Sequence, residues 1–277
     1  MHRCLLVGVA LLALLGSGCG GGSRPKNVTV KGSDTMVILG QRWADMYMKA
    51  HPGSAVAVTG GGSGTGIAAL INGTIDIAQS SRAMKDEEKQ QFAEKAGGPP
   101  QEIAVARDGV TVYVHSSNPL TTISMEQLKG IYTGAIKNWS DVGGPDKPIV
   151  VYSRENNSGT YVFFKEHVLG GADFSPTAAT LPGTAAVVNA VTQDPGGIGY
   201  GGIAYGSGIK HLAILDAGGQ PIEPKEATIL DGSYPLSRPL YWYVSPKAPK
   251  EATDLVAWVQ SPEGQAVIKD VGYFPAR

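Results

Sequence analysis

The chain is predicted to fold as an α/β sandwich built on mostly parallel sheets. Apolar runs with a two-residue period alternate with stretches whose apolar residues recur at helical spacing. The links between them are short and rich in Gly, Ser and Thr. Over 277 residues, 42% hydrophobic and 17% charged, there is apolar area for one large domain or two modest ones.

Residues 27–31 (NVTVK) alternate and read as the first strand. Residues 35–50 follow as a helix, with Ile38, Leu39, Trp43, Met46 and Tyr47 at helical spacing. A buried strand at 55–60 (AVAVTG), a short helix at 65–72 and a strand at 74–78 (TIDIA) come next. Residues 85–96 read as a charged, solvated helix. Residues 103–115 (IAVARDGVTVYVH) are too long for one simple strand and carry Asp108-Gly109 in the middle. Ser124 and Gln127 have the spacing of a capping box at the start of a helix over 124–132. A strand at 149–153 precedes helices at 160–169 and 185–193. Residues 197–205 and 240–244 are strand-like, and 250–271 hold one or two closing helices.

Composition excludes several classes. The net charge of −1 gives no cationic surplus to displace counterions, so a nucleic-acid partner is not expected. The two cysteines, Cys4 and Cys19, both precede residue 20, which rules out a disulfide scaffold or a cysteine-based metal site in the body. Arg3, the apolar run 5–15 and the small residues 16–18 form a signal peptide over residues 1–19, too short to remain as a membrane span. The residues before Cys19 resemble a bacterial lipoprotein cleavage box, with Leu15 one place early. Lipidation of Cys19 is therefore expected, the other reading being an ordinary secretory leader. Loss of Arg3 with the leader takes the charge from −1 to −2, and residues 20–26 (GGGSRPK) are read as a flexible tether.

Three strands run into polar loops that open helices: 32–35 (GSDT), 60–66 (GGGSGTG) and 153–160 (SRENNSGT). A helix start exposes unpaired N–H groups and a partial positive charge. Glycine lets that backbone approach a ligand, and Ser and Thr add neutral donors. Several such ends aimed at one cleft make an anion site without a large positive charge. Arg154 adds a planar fork suited to a tetrahedral oxyanion. Arg82, after the strand at 74–78, is expected to supply a second cation.

Other chemistry is absent from the pattern. There is neither a nucleotide-binding Gly-x-x-x-x-Gly-Lys-Ser/Thr nor a nucleophile-elbow Gly-x-Ser-x-Gly. Residues 197–202 match Gly-x-Gly-x-x-Gly by count, but they look like a strand rather than a turn opening a helix. The histidines at 51, 115, 167 and 211 have no ligand spacing, and His167 reads as a helix-end residue. The four tryptophans are read as core. No catalytic residue, metal or cofactor is expected.

Taken in order and spacing, these segments resemble the PstS family, the periplasmic phosphate-binding proteins of the phosphate ABC transporter. The resemblance rests on 32–35 before a Trp-Ala-Asp helix, 60–64 (GGGSG), 76–81 (DIAQSS), 131–141 (IYTGAIKNWSD), Arg154 with 158–160 (SGT), and 197–200 (GIGY). It implies a two-lobed type II periplasmic-binding-protein fold, each lobe a mostly parallel sheet flanked by helices, hinged by two crossovers. The expected lobes are 27–108 with 236–277, and 109–235. Phosphate contacts carry over to Ser33, Asp34, Thr35, Ser63, Ser81, Arg154, Ser158, Gly159 and Thr160. The resemblance also implies ABC permease partners, a place in the periplasm or on the outer face of the cell envelope, and a monomer.

One departure bears on specificity. The family's best-studied members carry an aspartate where this chain has Ser81, and that carboxylate accepts the phosphate proton. Asp34 stands where those members carry a threonine, so the acceptor is expected to have moved to Asp34; the rival role for Asp34 is a helix N-cap. The competing functions are capture of sulfate, molybdate or tungstate, a phosphate sensor, and a secreted phosphoesterase using Ser63 or Thr35. The last lacks any visible His partner or metal set.

Overall fold

The computed structural model describes residues 27–276; the leader, Cys19 and the tether at 20–26 lie outside the described residues. β1 (Asn27–Gly32) leads through a 3-10 turn at Asp34–Met36 into α1 (Val37–Ala50). β2 (Ala55–Thr59), α2 (Ser63–Ile71), β3 (Ile77–Ser80) and α3 (Asp86–Ala96) complete a first half, with β1 parallel to β2 and β3. The long β4 (Gln101–Val114) leads out of it.

The second half begins with β5 (Thr122–Ser124) and α4 (Met125–Thr133). β6 (Val150–Arg154), α5 (Gly159–His167), β7 (Ala179–Leu181), α6 (Gly183–Gln193) and β8 (Gly197–Gly202) follow. β9 (Lys210–Leu215), β10 (Pro221–Ile222) and α7 (Glu226–Leu230) end it. β11 (Ser237–Val244) returns the chain to the first half, closed by α8 (Lys250–Val259), α9 (Pro262–Val271) and β12 (Phe274–Pro275).

The main strand order is β2-β1-β3-β11-β4-β8-β6-β7. β6 is parallel to β7 and β8, so the parallel expectation holds on both flanks. The seam is antiparallel. β4 pairs with β11 from Gln101 to Gly109 and with β8 from Val110 to Val114. These strands carry the chain out and back, and opposite directions follow from that traffic.

Two main apolar clusters lie on either side of the seam. Val28, Leu39, Trp43, Val105, Leu240, Trp242 and Leu255 belong to one. Val110, Leu128, Trp139, Phe164, Ile198 and Leu236 belong to the other. β4 changes cluster between Ala106 and Val110, and the chain entering β11 does so between Leu236 and Leu240. Buried indoles need a partner for the ring N–H. Trp43 donates to the Gly264 carbonyl at 2.7 Å and Trp139 to that of Gly196 at 3.0 Å.

Local rules explain most boundaries. Ser124 Oγ accepts the Gln127 N–H while Gln127 Oε1 accepts that of Ser124, forming the predicted capping box. Ser261 caps a new helix with Pro262 in its first turn, so the closing segment is two helices. Residues 197–202 form the fully buried β8, not a dinucleotide turn. Residues 101–114 depart from expectation by forming one strand across Asp108-Gly109. The Asp108 carboxylate is held by Arg238 and the Ile203 N–H, leaving it unavailable to close a local turn.

Candidate functional site

The three polar loops converge at the ends of β1, β2 and β6. Ser33, Thr35, Ser63, Ser81, Ser158 and Thr160 are all buried. The Ser33 hydroxyl donates to Ser81 Oγ at 2.9 Å, and the Ser81 N–H donates to Ser63 Oγ at 3.1 Å. Thr35 and Thr160 share a hydrogen bond of 2.8 Å across the two halves. α2 and α5 begin at this point, at Ser63 and Gly159, so two helix N-termini face one region.

Two glycines permit this approach. Gly62 has φ +86°, and a side chain there would strike the Asn157 carbonyl. A Cβ on Gly159 would collide with Ser63 and Ser81. The same contacts stitch the halves together. Gly64 N–H donates to the Asn157 carbonyl at 2.9 Å, and Asn157 Nδ2 donates to Gly61 O and Thr65 Oγ1, both at 3.1 Å.

Arg154, at the end of β6, is 2% exposed. Its Nη1 donates to Thr184 Oγ1 at 3.0 Å, and Nη2 donates to Asp34 Oδ2 at 2.6 Å from the other half. Its buried Nε has no hydrogen-bond partner among the described residues. Burial pulls the Arg154 guanidinium below its ordinary value and Asp34 opposes that pull. Asp34 Oδ1 accepts the Gly61 N–H at 2.8 Å, so its carboxylate ties loops together and does not cap its own helix. Tyr205, pushed up to about 12 chiefly by burial, donates its hydroxyl proton to the Asp34 carbonyl at 2.7 Å.

Arg82 requires a correction. Its guanidinium makes a two-pronged contact with Glu88, at 2.7 and 2.6 Å, and also bonds the Ala83 carbonyl. Burial would push the Glu88 carboxyl up, but Arg82 and the Lys85 N–H outweigh it and hold it below its usual range. Glu88 sits in the first turn of α3, where its charge is favourable, and so captures the arginine locally. The cation that reaches the hydroxyl cluster is instead Arg238 on β11, which donates to Thr160 Oγ1 at 3.0 Å and to the Ser81 carbonyl at 3.0 Å. Sequence reasoning missed Arg238, Asp108, Asn157 and Thr184. The available signal was an acid and a base, Asp108 and Arg238, inside otherwise apolar strands, where charges demand partners.

The described histidines bond elsewhere; His167 Nδ1 meets the Phe163 carbonyl at 2.9 Å, as its helix-end position implies. Among the described residues no cluster of His, Cys, Asp and Glu could hold a metal ion.

Two antiparallel crossing strands, two flanking cores and an anion-suited cleft between them define a type II periplasmic binding protein. The PBP superfamily domain matches residues 19–263. The "Phosphate-binding protein PstS" of Pseudomonas aeruginosa is 37% identical over 268 residues, covering 90% of this chain and 83% of the relative. A Clostridium perfringens structure, described as a phosphate ABC transporter substrate-binding protein with bound phosphate, superposes with a TM-score of 0.83 at 27% identity, over 91% of this chain and 100% of that one. An ABC-type phosphate transport receptor from Vibrio cholerae gives a TM-score of 0.73 at 30% identity, over 89% and 99%. This chain belongs to the PstS family.

Proposed function

We propose that the protein captures inorganic phosphate between its two lobes and delivers it to an ABC importer without altering it. The observation that carries this reading is the meeting of six buried hydroxyls and two helix N-termini, with Arg154 alongside, whose Nε has no hydrogen-bond partner among the described residues. The phosphate named in the Pseudomonas relative and bound in the Clostridium structure supports the choice of anion.

In this reading Thr35, Ser63, Ser81, Ser158, Gly159 and Thr160 donate hydrogen bonds to phosphate oxygens, Ser33 contacts the anion while its hydroxyl donates to Ser81, and Arg154 adds the charge. The carboxylates of Asp34 and Asp108 balance Arg154 and Arg238, so the anion is held by dipoles and hydroxyls more than by net charge. Residues 27–108 with 236–277 form one lobe and 109–235 the other, a division supported by the changeover of the apolar clusters on β4 and β11. Phosphate touching both lobes favours the closed form by its differential affinity. Lipidation at Cys19 and residues 20–26 would tether this domain near its permease. Turnover is not part of the reading, because no described histidine hydrogen-bonds to a site residue.

Calorimetric titration of the leader-free protein with phosphate, arsenate and sulfate tests the function. Tight phosphate uptake is expected; a preference for sulfate that persists across pH overturns it, since sulfate brings no proton.

Asp34 is proposed as the acceptor for the phosphate proton. Each of its oxygens already takes one donor and keeps a second lone pair. Asp34→Asn replaces one acceptor by a donor and is expected to lower the phosphate-to-sulfate affinity ratio by about tenfold or more. An unchanged ratio would leave Asp34 only as the partner of Arg154.

A further inference from the structure

Arg238 and Asp108 face each other in register on β11 and β4, the two strands that pass between the lobes. They are 3% and 0% exposed. Arg238 Nε and Nη2 both donate to Asp108 Oδ2, at 3.0 and 2.7 Å, and the Ile203 N–H donates to Oδ1 at 3.1 Å. The guanidinium also lies over the Phe163 ring, 5.2 Å from its centroid. A planar group held by a carboxylate on one edge and a ring on its face has little freedom to turn.

Its remaining N–H groups reach both lobes. Nη1 takes the Ser81 carbonyl and Nη2 reaches Thr160 Oγ1, each at 3.0 Å. A guanidinium cannot accept a hydrogen bond, so Thr160 Oγ1 is forced to accept and its own proton must point onward. That proton goes to Thr35 Oγ1, 2.8 Å away, or to an oxygen of the ligand. Ser81 Oγ likewise accepts from Ser33, and Ser63 Oγ accepts from the Ser81 N–H. Thr160, Ser81 and Ser63 thus each accept one bond from behind, which turns their own protons away from those donors, while Ser33 spends its proton on Ser81.

We infer that Arg238, locked by Asp108, is the positioning residue of the anion site: it fixes Thr160 as a donor and joins the Ser81 and Thr160 segments from opposite lobes at one guanidinium. This rests on the phosphate reading above. Arg238 acts through Thr160, so its loss and that of Thr160 must not multiply.

The test uses the leader-free protein, inorganic phosphate and a melting curve for every variant. Removing Arg238 alone would strand a buried carboxylate, so both charges are removed together in D108N/R238Q. This pair is expected to bind phosphate about tenfold to a hundredfold more weakly. Thr160→Val is expected to show a comparable loss, and the triple variant little more than either. Arg238→Lys keeps a charge beside Asp108 but lacks the fork, and serves if D108N/R238Q fails to fold; it is expected to lose affinity with the same coupling to Thr160→Val. Wild-type affinity in D108N/R238Q or in Arg238→Lys overturns the inference, as do losses that multiply with Thr160→Val. Wild-type protein titrated alongside separates the two readings. If it binds while the variants match it, only this inference fails; if it does not bind, both fail.

Discussion

Arg154→Gln is expected to weaken phosphate binding by roughly a thousandfold. The glutamine keeps much of the stem and removes the charge. Arg154 is buried and bridges Thr184 in its own half to Asp34 in the other. Its loss therefore acts twice. It removes the cation from the proposed phosphate site, and it leaves the Asp34 carboxylate facing the anion with no counter-charge. Asp34 is 19% exposed at its side chain and regains water if the lobes part, so the variant favours the open form. Calorimetry measures the affinity, and solution scattering without ligand measures the opening. A loss below tenfold would show that Arg154 is a structural tie and not the main anion contact.

Gly159→Val is expected to reduce phosphate affinity by about a hundredfold while leaving the melting temperature nearly unchanged. Gly159 opens α5, where a side chain costs the helix little. The new atoms point at Ser63 and Ser81 of the other half. Rotation can move a serine hydroxyl aside, but Ser63 Cβ is also in the way and is fixed by α2. The clash therefore appears only when the lobes close, so folding survives and closure fails. Affinity at the wild-type level would mean that the two helix ends do not meet around the ligand.

Much of the architecture was legible because its causes are local. The Ser124–Gln127 capping box, the strand nature of residues 197–202 and the helix start after Ser158 depend on neighbours a few residues apart. The Gly, Ser and Thr loops were legible as helix-opening ends for the same reason. Arg82 pairs with Glu88, six residues on, a local partner that the reading of 85–96 as a solvated helix hides. Residues 103–115 look too long for one strand because Asp108-Gly109 resembles a turn when its distant partner is unseen.

The amino-acid order by itself determined the alternation of strands and helices, the loops that expose N–H groups, and the presence of Arg154 beside Ser158-Gly159-Thr160. Those follow from periodicity, capping and backbone freedom, which act over one or two turns of chain. Only the tertiary structure decided which cation serves the hydroxyls. Arg238 lies 130 residues from Asp108 and 78 from Thr160, and no short-range rule couples such positions. Burial does, because a charge removed from water must find its counter-charge wherever the fold has brought it.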